Sequence, residues 1–286
     1  MQFRLDSNSE HNFTQNDLKT IHKKFKFAPS IMGCKPWQVL DYVKEFERHN
    51  IDMIHFDVMD GHYVPNITIG SQEFRAIHEV SKLPIDLHLM TFNPYKTMDY
   101  FDIKKGDRVS FHPDALCESK FNVGPASADD KDVISDIYNS KSPVQVIDKI
   151  HKKGAQAGIA INPDLDISVI DSVKNCVDFI IVMAVKPGFS GQKMLDFHFD
   201  KLKEVVYRVN HINNELANSK DKLLHNSHQI KEVIVDGNVT PKTVVDNAKC
   251  GASGFVVGNS FLPWESNPKD FHIRYNNFMQ VLSKIV

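Results

Sequence analysis

Eight short apolar runs, separated by helix-patterned segments, constrain the fold of this chain more than any other feature. They cover residues 26–31, 53–58, 85–90, 108–112, 155–161, 179–183, 232–236 and 254–257. Apolar residues at three-to-four spacing mark helices over 37–48, 71–80, 95–101, 144–152 and 241–248. Strands too apolar to be half exposed, alternating with helices, describe a parallel sheet covered on its outer side. The count predicts a single closed (β/α)8 TIM barrel. A doubly wound open sheet is the structural rival, but no Gly-x-Gly-x-x-Gly follows an early run.

Two stretches interrupt the alternation. Residues 1–25 are a polar extension, expected either to form a helix capping the barrel's floor or to stay loose. Residues 116–142 are too long and polar for an ordinary connection and predict an insertion on the catalytic face of a barrel domain spanning 26–286. A further polar excess at 210–229 belongs to the opposite face. At 42% hydrophobic, 24% charged and net charge −2, the chain offers no basic field for nucleic acid. No run is long enough to span a bilayer, and the first residues lack an apolar secretory core. A small-molecule ligand and a cytoplasmic location are expected, with no nucleic-acid or membrane partner. Cys34, Cys117, Cys176 and Cys250 form no Cys-x-x-Cys pair. They read as buried or incidental thiols, Cys34 being the one that follows a strand toward the site.

Strand alternation puts His55, Asp57 and Met59 on one face of the second run. Burying an imidazole and a carboxylate together costs several kcal/mol unless they are paired or bound to metal. A barrel builds its site at the C-terminal strand ends. The polar residues there are Ser30, His55, Asp57, His88, His112 and Asp236. His55, Asp57, His88 and Asp236 are a plausible donor set for one divalent cation. Glycine turns follow the last three strands in Lys186-Pro187-Gly188-Phe189-Ser190-Gly191-Gln192, Asp236-Gly237-Asn238 and Gly258-Asn259-Ser260. Backbone amides freed at such turns form the usual phosphate site of these barrels.

With these residues assembled, the chain resembles the ribulose-phosphate 3-epimerase family. The resemblance rests on Ala28-Pro29-Ser30-Ile31, on the segment from His55 through Asp57, Met59 and Asp60-Gly61-His62-Tyr63 to Asn66, and on Asp86-Leu87-His88-Leu89-Met90. Val182-Met183 leading to the Pro187-Gly188-Phe189 turn and Val235-Asp236-Gly237 complete it. It implies a barrel of the ribulose-phosphate-binding type and an isomerase interconverting D-ribulose 5-phosphate and D-xylulose 5-phosphate through a cis-enediolate. It further implies one divalent metal ion (zinc, iron(II), manganese or cobalt) on His55, Asp57, His88 and Asp236, with Asp57 and Asp236 as the acid/base pair. Ser30, His88, Met59, Met90 and Met183 would meet the sugar, and Gly188, Phe189, Ser190, Gly191, Gly237, Asn238, Gly258 and Asn259 the phosphate. A homo-oligomer is expected on the same ground.

The chain departs from the family at Lys186, Asn238 and Asn259, where asparagine, glycine and serine are usual. Lys186 is expected to extend toward water, and Asn238 to accept a left-handed turn. Phe111-His112-Pro113-Asp114 is closer to allulose-6-phosphate 3-epimerases, which makes a hexulose phosphate the alternative substrate. A sugar-phosphate-binding barrel without turnover is a third reading.

Overall fold

A computed structural model describes residues 14–116, 141–218 and 229–286. Most of the expected 116–142 insertion, part of the 1–25 extension and Cys117 therefore lie outside the described residues. Helix α1 (Gln15–Lys24) opens with a capping box, in which Thr14 and Asp17 each satisfy the other's backbone N–H. There follow β1 (Lys26–Pro29), α2 (Val39–Arg48), β2 (Ile54–Met59), α3 (Ser71–Val80), β3 (Ile85–Met90), α4 (Pro94–Thr97) and β4 (Arg108–Phe111). After these come α5 (Pro143–Lys152), β5 (Gln156–Ile161), β6 (Phe179–Met183), α6 (His198–Ala217), β7 (Glu232–Asp236), α7 (Val244–Lys249), β8 (Gly254–Val257) and α8 (Phe271–Leu282).

All eight strands are parallel, in the order β1-β8-β7-β6-β5-β4-β3-β2. A single parallel bridge between Ser30 and His55 joins the two ends of this sheet and makes it a barrel. The alternation of each strand divides its side chains between two cores. Phe56, Leu87, Leu89, Phe111, Ile159 and Val235 pack outward beneath the helices. Ala28, Ala160, Phe179, Ile181, Met183, Ile234 and Val256 fill the interior. Gly158 is small because Phe179 occupies its space, for a Cβ there would lie 2.2 Å from the ring.

A repeated brace closes the floor. Asp52, just ahead of β2, accepts a hydrogen bond from Phe27 N at 2.9 Å and lies 3.5 Å from His22 of α1. Asp107, ahead of β4, accepts from Ile85 N at 2.9 Å and pairs with His78 of α3. Asp178, ahead of β6, accepts from Ala157 N at 2.9 Å and pairs with His151 of α5. In the remaining quarter Ser253 Oγ accepts from Val233 N. Each brace satisfies a strand-entry N–H, and the three aspartates also tie a helix to the sheet, leaving the opposite strand ends to carry chemistry.

The structure departs from the sequence expectations in local ways. The polar stretch beginning at residue 210 continues α6 to Ala217, because Ile212 and Leu216 keep the helical spacing of its buried face. The β5–β6 crossover, where the sequence marked no helix, holds a 3-10 turn, Ile167–Ser172. No helix among the described residues is long and apolar enough to cross a membrane.

Candidate active site

Strand register brings the polar side chains of the upper barrel to one point. Asp57 stands opposite His88 in the β2–β3 pairing, and His55 opposite Asp86. Asp236 ends β7 beside Met183 of β6. One donor atom from each of His55, Asp57, His88 and Asp236 lies within 4.8 Å of all the others. His55 contributes Nε2, 3.2 Å from Asp57 Oδ1 and 3.8 Å from Asp236 Oδ2. His88 contributes Nδ1, 3.3 Å from Asp57 Oδ1 and 3.5 Å from Asp236 Oδ2. Both imidazoles are wholly buried, and His88 Nδ1 makes no hydrogen bond among the described residues.

Each of these groups is fixed from behind. Asp86 Oδ2 accepts from His55 Nδ1 at 2.8 Å, which leaves Nε2 to face the cluster. Ser30 Oγ donates to Asp57 Oδ2 at 2.6 Å. Beneath Asp86, the buried guanidinium of Arg108 bonds Glu232 at 2.8 Å and stacks 3.9 Å over the Phe179 ring. A buried imidazole nitrogen without a hydrogen-bond partner, facing two carboxylates and another imidazole, matches the donor chemistry of a divalent cation such as zinc or manganese.

The two carboxyls titrate in opposite directions. Burial alone would raise the pKa of Asp57, but the adjacent His55 and His88 hold it well below the usual carboxylate range. Asp236 lacks the Ser30 bond, and burial, reinforced by the charge of Asp57, pushes it up to about 6 against the opposing pull of the histidines. His55 rises because Asp57 and Asp86 outweigh the effect of its burial. Asp57 therefore stays an acceptor of protons throughout the neutral range, while Asp236 titrates at about 6, closer to neutrality than an ordinary carboxyl.

A cavity of about 280 Å³ opens above this cluster. Ser30, Asp57, Met59, Met90, Met183 and Asp236 line its base. Gly188, Phe189, Ser190 and Gly191 after β6, Gly237 and Asn238 after β7, and Gly258, Asn259 and Ser260 after β8 line the other end. Gly237 has φ 107°, and a Cβ there would lie 2.6 Å from Val185 Cγ2. Asn238 follows at φ 49°, the left-handed turn its sequence position suggested. Asn66 Nδ2 donates to Gly188 O at 2.7 Å, so the segment after β2 holds the β6 loop against the cavity. Lys186 is exposed on the rim.

Some residues fall elsewhere than the sequence suggested, and others enter unannounced. Cys34 is buried under the 3-10 turn that follows Ser30, donating to Ile31 O, and lines an apolar groove with Trp264 outside the cavity. His112 and Asp114 do not line the cavity: His112 lies against His88, and Asp114 accepts from Tyr63 Oη at 2.9 Å. Met32, Val185, Val239, Thr240 and Val256 also line the cavity without having been singled out. Asp86 shares the inward face of His88, a period-two signal that identifies it once β3 is known to pair with β2.

Residues 26–124 and 125–262 match the sequence pattern of the ribulose-phosphate 3 epimerase family. Ribulose-phosphate 3-epimerase of Bacillus subtilis (strain 168) is 31% identical over 235 residues, covering 82% of this chain and 91% of that protein. The Aquifex aeolicus (strain VF5) protein of the same name is 28% identical, covering 81% and 87%. Among solved structures, thiamine phosphate pyrophosphorylase from Pyrococcus furiosus superposes with a TM-score of 0.51 at 11% identity, covering 92% of this chain and 99% of its own, a likeness of fold alone. The extent of the family match and the identity to named relatives establish that this chain belongs to the ribulose-phosphate 3-epimerase family and is an epimerase.

Proposed function

We propose that the chain interconverts D-ribulose 5-phosphate and D-xylulose 5-phosphate with the help of one divalent cation held by His55, Asp57, His88 and Asp236. The observation that carries this reading is the meeting of those four donors around one point, with His88 Nδ1 buried and unsatisfied. When bound, the cation supplies Lewis-acid stabilisation of negative charge developing on adjacent substrate oxygens.

The chain's own residues do the rest. Asp57, ionised, takes the C3 proton from one face, and Asp236, protonated, returns one from the other, so C3 inverts through a planar cis-enediolate. The reverse reaction exchanges the two roles. The Ser30 hydroxyl fixes the orientation of Asp57 toward the cavity. Met59, Met90 and Met183 give the planar species a dry wall with no proton to donate. The loops carrying Gly188, Gly237 and Gly258 receive the phosphate, where Gly237 and Asn238 turn the backbone through positive φ.

Asp114 lies with Tyr63 in an adjoining pocket that shares Lys186 and Pro187 with the cavity, so the Phe111-His112-Pro113-Asp114 segment keeps a hexulose phosphate as the alternative substrate. A coupled assay tests the proposal. Purified protein supplied with zinc, manganese, iron(II) or cobalt is expected to epimerise ribulose 5-phosphate with a higher kcat/KM than allulose 6-phosphate. Absence of pentulose turnover with all four metals would reject it.

A further inference from the structure

We propose that His112 is a positioning residue that sets which nitrogen His88 presents to the cation. The inference rests on the cation reading above. The two histidines of the cluster enter it by different atoms, His55 by Nε2 and His88 by Nδ1. For His55 the choice is explained by Asp86, an acceptor that retains the proton on Nδ1. Among the described residues His88 has no carboxylate behind it. Its Nε2 lies 2.9 Å from His112 Nε2, and the two rings stack with centroids 5.0 Å apart.

Two imidazole nitrogens at hydrogen-bond distance share one proton, so one donates and the other accepts. If His88 Nδ1 is to offer a lone pair, His88 must carry its proton on Nε2, and His112 Nε2 must be the acceptor. His112 is therefore in the Nδ1-protonated tautomer. Its ring is held in that place by Tyr63, whose centroid is 5.0 Å away, and Tyr63 Oη is itself fixed by Asp114 and by Asn162 Nδ2 at 2.7 Å. Tyr63 belongs to the same post-β2 segment whose Asn66 clasps Gly188. The segment that closes the phosphate end thus also buttresses a cation donor. His112 does not line the cavity, and its hydrogen bond reaches the cation donors through His88.

The experiment compares the full chain with His112→Phe, which keeps the stacked ring and removes the acceptor, and His112→Gln, which restores an acceptor oxygen. Zinc and manganese affinities are measured by calorimetry, and the His88 tautomer by ¹⁵N spectra of the metal-free, histidine-labelled protein. His112→Phe is expected to weaken cation binding about 10–100-fold and to shift His88 from the Nε2-protonated form, with His112→Gln recovering part of both. Wild-type affinity and tautomer in His112→Phe would overturn this inference alone. No cation binding by the unsubstituted chain would overturn it together with the cation reading.

Discussion

Asp57 and His88 face each other across the β2–β3 register with His88 Nδ1 3.3 Å from Asp57 Oδ1, two residues beyond the Ser30–His55 bridge that closes the β1–β2 seam. One seam of the barrel therefore supplies Ser30, His55 and Asp57, and the next strand supplies His88. Asp236 comes from the far side of the ring, which is why two carboxyls can address one carbon from different directions.

Asp57→Asn and Asp236→Asn should each lower kcat for ribulose 5-phosphate by about 10²–10⁴-fold, the usual worth of a positioned acid or base. Loss of a cation donor can only add to this. Initial rates at saturating metal, with folding verified by circular dichroism, check it; either variant retaining near-wild-type kcat would remove that residue from proton transfer.

The metal-free protein should respond to pH through Asp236. Its pKa is raised in the folded state to about 6, so the folded chain holds this proton more tightly than the unfolded chain. The associated stability is complete below the unfolded value and disappears as pH rises through about 6. The gain in Tm from Asp236→Asn should accordingly be larger at about pH 7.5 than at about pH 4.5. Cation binding needs His55 Nε2 free of its proton, and because Asp57 and Asp86 raise the His55 pKa well above its ordinary value, zinc affinity should fall as pH drops. Calorimetry across this range measures both.

Asp86→Asn should weaken cation binding by about 10–100-fold, because an amide oxygen holds the His55 Nδ1 proton less firmly than a carboxylate. The substrate cavity is not lined by Asp86. The effect should therefore appear in metal affinity and in kcat at limiting metal, with little change in KM once metal saturates.

Two glycines near the phosphate loops should behave differently. Gly258→Ala meets nothing within 4 Å, so the fold should tolerate it while the new methyl group raises KM. Gly237→Ala would drive a Cβ to 2.6 Å from Val185 at φ 107°, and should cost about 1–3 kcal/mol of stability. Thermal denaturation and steady-state kinetics of the two variants separate the effects.

The strands were readable because a parallel barrel buries both faces of each one, and the runs at 85–90, 179–183, 232–236 and 254–257 coincide with β3, β6, β7 and β8. His55, Asp57, His88 and Asp236 were readable because period two and strand ends are local properties of the chain. What joins different strands was not. The pairing of His112 with His88 and of Asp86 with His55 depends on register, which no single run encodes. The placement of Cys34 depends on the 3-10 turn Ile31–Gly33, which carries the chain away from the cavity after Ser30. The polar surface of α6 obscured its last turns, where only Ile212 and Leu216 mark the buried side.

The most direct measurement is anomalous diffraction from crystals grown with manganese or zinc, collected on both sides of the metal edge. One strong peak is expected, with His55 Nε2, His88 Nδ1 and carboxylate oxygens of Asp57 and Asp236 at about 2.0–2.2 Å. A fully loaded crystal with no peak among these four residues, or with the ion bound elsewhere, would contradict the cation reading.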